Sequence, residues 1–390
     1  MSVLRLSVER GVRPHIQVRA ILHGLLFPLA IGVELAVLAA FAPDTLQRGW
    51  NGPTGDFHNL YVRGRDLQLM GMYNPVLTPL LYPLHWFGEI NAYRVVFAMN
   101  LACLFTIATI AQRAVSSVDA KIAVALAVIA FPQMHWALRL GHLTPTLALI
   151  ALTSFVMLER RPRVAAATLA LLSIKPQYAV APFLYLLRRR AFSLAGVMLG
   201  VAAVLAVMGF AIIGPSSVRE FLSLYLDWGS DSADDLLPIQ QSWMYSWPGV
   251  QISFGFEPNP VITFDLMLLS LGVVMLAWLR TDSRTGACVT AFAMLLLTPY
   301  AQFYDFGLVV VGMALLLRCG LAPPLGGALF GALYVAAVVT QANTIYPTKD
   351  LLGPAQTDGV YWLTPTLLAV IGVLAISGDS RGREAAADGD

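Results

Sequence analysis

A lysine stands where the chain is otherwise apolar. Val164 to Leu187 is a hydrophobic run with Lys175-Pro176-Gln177 at its centre, and arginines flank it at both ends: Arg160, Arg161 and Arg163, then Arg188, Arg189 and Arg190. An ammonium in hydrocarbon costs several kcal/mol, so a lysine at that depth implies a partner or a ligand. Phosphate is such a ligand: an ammonium attracts it as a point charge, and a guanidinium grips it bidentately. Arg139 and His142 are three residues apart. A continuing helical turn would put them on one face, and with Lys175 they would form a cationic phosphate pocket. Snorkelling to the interface is the other reading for Arg139, and a structural hydrogen bond the other for His142.

A carboxylate for general-base work stands in Gly55-Asp56-Phe57-His58-Asn59-Leu60-Tyr61. At the rim of a cavity, Asp56 would accept the proton of an incoming hydroxyl. Asp is equally suited to a helix cap or a turn. His58 and Asp66 are weaker candidates for the same task, and His58 shares a face with Asp56 only in an extended segment. Asp305 precedes an apolar run and reads first as its cap. No set of His and carboxylate residues has metal-ligand spacing, so no metal site is expected.

The elements that must position these groups are membrane helices. The composition, 57% hydrophobic and 12% charged over 390 residues, excludes a soluble globular class and indicates a polytopic membrane protein without nucleic-acid partners. Residues 1–20 read as a basic cytoplasmic segment, 21–377 as one membrane-embedded domain and 378–390 as a disordered cytoplasmic tail. The first span, about Ile21 to Ala42, is itself the insertion signal. Further apolar runs begin near Tyr93, Lys121, Leu143, Ala191, Val261, Gly286, Asp305, Pro323 and Tyr361. Together they predict an all-α bundle of about 12 membrane segments. The alternation places most Lys and Arg inside, as a correct topology requires.

The Lys175 run is counted as two short spans. Arginine at both ends argues for a hairpin that leaves and returns on the cytoplasmic side, broken at Pro176, which lacks an amide hydrogen. Irregular backbone at that depth needs a water-filled or protein-lined cavity around it. The plain alternative is a kinked helix whose lysine snorkels. Two outer loops, about 43–91 and 214–260, are rich in aromatic, Gly, Pro and Asn residues and read as ordered. Leu77 to Phe87 is too short to span and reads as interfacial or re-entrant. Cys103, Cys288 and Cys319 lie in or beside apolar runs and read as packing residues. No internal repeat is evident, which disfavours a transporter built on inverted halves.

The order of these pieces is informative. Asp56-Phe-x-x-x-Tyr61, Gly71-x-Tyr73-Asn74-Pro75, Gly141-His142, Lys175-Pro176-Gln177, Gln241-Ser242, and Thr298-Pro299-Tyr300 with Tyr304-Asp305 resemble the DUF2029 group, glycosyltransferase family 87, over roughly residues 20–375. Lys-Pro-Gln in a broken span is the most specific of them. The sequence departs from the family at His142, where relatives often have Gln, and it lacks a late-loop histidine that some members carry.

The resemblance implies a GT-C membrane fold and an inverting hexosyltransferase. Such an enzyme moves a sugar, typically mannose, from a polyprenyl-phosphate carrier to a lipid or glycan acceptor at the outer face of the cell membrane. It carries Asp56 over as the catalytic base. Lys175, Arg139, His142, Gln177, Arg63 and Arg65 are then expected at the donor phosphate, and His58, Tyr61, Tyr73, Gln241, Ser242, Tyr300, Gln302 and Asp305 at the acceptor or sugar. No cofactor is implied beyond the lipid-linked donor, and a divalent cation stays open. A multi-pass transporter or flippase of a lipid-linked sugar is the competing class.

Overall fold

The computed structural model describes residues 14–52, 55–68, 73–226, 244–342 and 361–387. Those residues are helical almost throughout, with a single isolated antiparallel bridge, Met244 to Gln302, and no strand. Among the described residues, five helices are long and apolar enough to cross a membrane: Leu29–Asn51, Glu89–Gln112, Phe192–Ile213, Pro260–Arg280 and Pro323–Gln341. The pair Val118–Ile129 and Pro132–Leu140, bent by 42°, makes a sixth if counted as one span. The other apolar runs of the sequence form shorter helices, including Thr144–Met157, Ser283–Leu296, Phe303–Leu316 and Leu363–Gly378. At about 1.5 Å per residue, a helix of 14 residues such as Thr144–Met157 reaches about 21 Å, short of a bilayer core about 30 Å thick.

Long and short helices divide the work. Only 11% of the hydrophobic window in Phe192–Ile213 is buried, so its apolar surface faces outward, where lipid would cover it. Ser283–Leu296 is the opposite case: every residue from Thr285 onward is buried. A helix apolar on all sides belongs in the interior, and this one packs beside Val309–Leu316 and Pro176–Arg188. The packing is close because Gly312 carries no side chain. A Cβ there would meet the Phe292 ring at 2.0 Å.

Two boundaries differ from the sequence reading. The first helix runs from Pro14 to Asn51, well past Ala42, and shortens the loop predicted to begin at residue 43. The last helix runs from Leu363 to Ala387, through the tail predicted to be disordered.

The Lys175 run breaks as its sequence requires. Pro162–Leu169 is α-helical, Ala170–Ile174 tightens to a 3-10 helix, Lys175 is extended, and Pro176–Arg188 is helical again. The residue before a proline is pushed out of the helical region, and Lys175 has φ −114° and ψ 94°. Its two limbs are each about 20 Å long. Arg161 before the first limb and Arg189 after the second line one cavity. The limbs splay instead of packing along each other, and Phe192–Ile213 packs against both.

Candidate functional site

At the break, Lys175 is buried with a partner. Its Nζ lies 2.6 Å from Asp305 Oδ1, with 8% of the lysine side chain and 1% of the aspartate side chain exposed. The ammonium faces three aromatic rings, Tyr73 at 5.0 Å, Tyr304 at 5.1 Å and Tyr178 at 5.8 Å from their centroids. A desolvated cation gains about 0.5–2 kcal/mol from such a ring. The carbonyl of Ile174, freed by the break, accepts from the Asn74 amide at 2.8 Å. That bond ties the loop carrying Tyr73 to the tip.

Asp305 does two things at once. Its Oδ2 accepts from the Gln302 amide at 3.2 Å, closing a capping box on the turn Phe303–Leu308, while Oδ1 holds the lysine. The cap expected from sequence is present, and it leaves one oxygen for an ion pair. Pro299, just past helix Ser283–Leu296, turns the chain, and residues 299–302 are then clipped to the second large loop. Tyr245 donates its amide to Ala301 O at 2.9 Å, and Ser246 Oγ donates to Pro299 O at 2.9 Å. Gln302 Nε2 donates to the Tyr300 hydroxyl at 2.6 Å.

His142 joins this group. It stacks on Tyr304 with centroids 3.7 Å apart, and its Nδ1 is 3.1 Å from the Tyr73 hydroxyl. Its carbonyl accepts from Asn100 Nδ2 at 2.7 Å, and Asn100 Oδ1 in turn accepts from Thr146 at 2.8 Å. Arg139 goes elsewhere: it pairs with Asp44 and stacks on Trp136 with its guanidinium 4.2 Å from the ring centroid. The shared face expected for Arg139 and His142 does not form. Helix Pro132–Leu140 stops first, because Gly141 takes left-handed backbone at φ +70°.

Gly141 also anchors the Asp56 helix. A Cβ on it would come within 2.9 Å of Phe57 Cβ, so only glycine admits that contact. Phe57 is buried against Tyr93, centroids 5.2 Å apart. Tyr93 donates its hydroxyl to the Arg139 carbonyl at 2.7 Å, satisfying one of the open carbonyls of that helix end. Asp56 is the second residue of helix Gly55–Arg65, and its side chain lies outside the described residues. A path of contacts nonetheless runs from its neighbour Phe57 through Gly141 and His142 to Tyr73 and Lys175.

The remaining candidates divide by location. In helical backbone, His58 does not share a face with Asp56; it pairs with Glu89 at 2.8 Å. Tyr61 packs on His85 at 4.3 Å between centroids. Arg63 and Arg65 end the same helix at the surface, and the hydrogen bond from Arg65 to Asp66 holds that carboxyl below its usual range. Gln177 places its Oε1 in the interior without a hydrogen-bond partner among the described residues, as Ser173 does its Oγ. Gln241 and Ser242 lie outside the described residues.

Several members of the cluster were not singled out from sequence. Tyr178 is one of them, and Tyr304, although part of the Tyr304-Asp305 motif, was given no role of its own; nothing local announces that either faces a cation. Asn100 offered a signal, an amide within a long apolar helix. Gly209 gave none, yet a Cβ there would meet the Val76 amide nitrogen at 2.3 Å. That contact seats the loop carrying Tyr73.

No curated protein and no solved structure matches the chain. The model of glycosyltransferase family 87 matches residues 72–299. That segment holds Tyr73, His142 and Lys175 and ends at Pro299, six residues before the lysine's counter-ion. By this match over more than half its length, the chain belongs to glycosyltransferase family 87.

Proposed function

We propose that this glycosyltransferase moves a sugar, mannose in the simplest case, from a polyprenyl-phosphate carrier to a lipid or glycan acceptor, with inversion at the anomeric carbon. Its site would face the outside of the cell membrane, on the side opposite the arginine-rich helix ends. Asp56 takes the acceptor hydroxyl proton. The acceptor oxygen then attacks the anomeric carbon as the bond to the phosphate oxygen breaks, and the departing lipid phosphate keeps the electron pair. Lys175 meets that charge. An ammonium has three donors, and with one given to Asp305 it retains capacity for a phosphate oxygen.

The observation that carries the reading is the position of Lys175: a charged side chain 8% exposed, at the tip of a broken membrane segment, inside the region matched by the family. The unpartnered Ser173 Oγ and Gln177 Oε1 beside it support the same reading, because buried polar atoms without partners are costly unless a ligand completes them. Tyr73, Tyr300 and Gln302 supply rings, hydroxyls and an amide of the kind that hold sugars. The long carrier chain would lie among the lipid-facing helices, which explains why the enzyme is embedded in the membrane.

The test is to incubate purified protein with radiolabelled polyprenyl-phosphate-mannose and a membrane-lipid extract. Labelled lipid or glycan product is expected, and Asp56→Asn should reduce its formation by about 10²–10⁴-fold with folding intact, the range for loss of a general base. Full turnover in that variant refutes the assigned base. Accumulation of intact donor in vesicles, with no covalent product, refutes the transferase mechanism.

A further inference from the structure

The opposite end of the bundle holds a second site. A cavity of about 760 Å³ is lined by Arg113, Arg160, Arg161, Arg189, Arg284 and Arg318, with Glu159 as the only acid among the described residues. These arginines stand at or just beyond the ends of Glu89–Gln112, Thr144–Met157, Pro176–Arg188, Ser283–Leu296 and Val309–Leu316, and all but the first of these helices lead at their other ends to the Lys175 cluster. The two sites are therefore separated by the length of the helices. Glu159 is engaged with Arg284 at 3.6 Å, so it offsets little of the positive field. Below the arginines the walls are apolar, formed by Phe155, Val156, Leu315 and Leu317.

We infer that this cavity binds the phosphate head group of an anionic phospholipid from the adjacent leaflet. The positive-inside rule explains why arginines collect at this end, but it does not require six of them, from five separate segments, to converge on one cavity. A basic rim over apolar walls matches an amphiphile with a phosphate head, and basic pockets between membrane helices take such head groups. The volume falls within the range of ligand sites, about 300–1,000 Å³. Because Arg161 and Arg189 stand at the two roots of the broken Lys175 segment, a lipid held between them would brace the limbs that carry the lysine.

The test compares delipidated protein in phosphatidylcholine nanodiscs with and without phosphatidylglycerol, read by thermal unfolding and by native mass spectrometry of retained lipid. Phosphatidylglycerol should stabilise the protein and remain bound. The pair Arg113→Gln with Arg318→Gln should weaken retention at least about tenfold, at roughly 1 kcal/mol per basic residue. Arg160→Gln with Arg161→Gln, both exposed, is the alternative should the first pair fail to fold. Arg188→Gln with Arg190→Gln, on the same face but not lining the cavity, should leave retention unchanged. Equal loss in that control pair overturns the site in favour of diffuse surface charge. Inorganic phosphate that stabilises as well as the lipid overturns the assignment to a lipid.

Discussion

Breaking the Lys175–Asp305 pair should expose how much of this fold rests on one buried charge contact. At 2.6 Å and an effective dielectric of about 20, the gross attraction is about 6 kcal/mol. Asp305→Asn keeps one acceptor where the carboxylate offers two, so it can serve either the ammonium or the Gln302 backbone amide and turns an NH2 donor toward the other, recovering about 1–2 kcal/mol as a single hydrogen bond. The rings of Tyr73, Tyr304 and Tyr178 still face the cation. A net loss of about 3 kcal/mol is expected, at the lower end of what removing one partner of a buried pair costs. Lys175→Met should lose more, about 4–5 kcal/mol, because it leaves a carboxylate among ring faces that favour cations. Combining the two should cost clearly less than their sum, with a coupling of at least about 2 kcal/mol. Denaturant titrations of the four proteins in mixed micelles measure this cycle. Additive losses, or single variants within 1 kcal/mol of the native protein, would refute the claim that the pair is desolvated and mutually dependent.

Three further outcomes follow from the same geometry. Lys175→Ala, where it folds, should raise the KM for the lipid-phosphate donor and lower kcat while leaving acceptor KM near its native value; unchanged donor kinetics would remove the lysine from the phosphate. Gly141→Ala should destabilise by about 1–3 kcal/mol, through left-handed backbone at φ +70° and the contact with Phe57, and should reduce transfer by shifting the Asp56 helix. Native stability and activity in that variant would mean the helix is not held there. Tyr73→Phe removes the hydroxyl that meets His142 but keeps the ring over Lys175. It should cost about 1 kcal/mol in melting experiments, whereas Tyr73→Ala should cost several times more.

The residues that announce themselves in this sequence are those whose chemistry conflicts with their surroundings. A lysine before a proline in an apolar run is enough to predict a break and a partnered charge, because hydrocarbon tolerates neither group otherwise. Composition marked the membrane class, and apolar runs of helix length marked it as helical, since a helix satisfies its own backbone in lipid. The boundaries at Asn51 and Ala387 escaped that reasoning. Hydropathy marks where apolar surface ends, whereas helical backbone continues as long as its own hydrogen bonds do.

Partner choice needed the tertiary structure. Asp305 lies 130 residues from Lys175 and looks like a cap; that its second oxygen holds the lysine depends on how a clipped loop meets a broken segment. Arg139 and His142, three apart, were parted by one left-handed glycine. Sequence spacing governs neighbours only while the helix continues, and three-dimensional packing decides every contact beyond it.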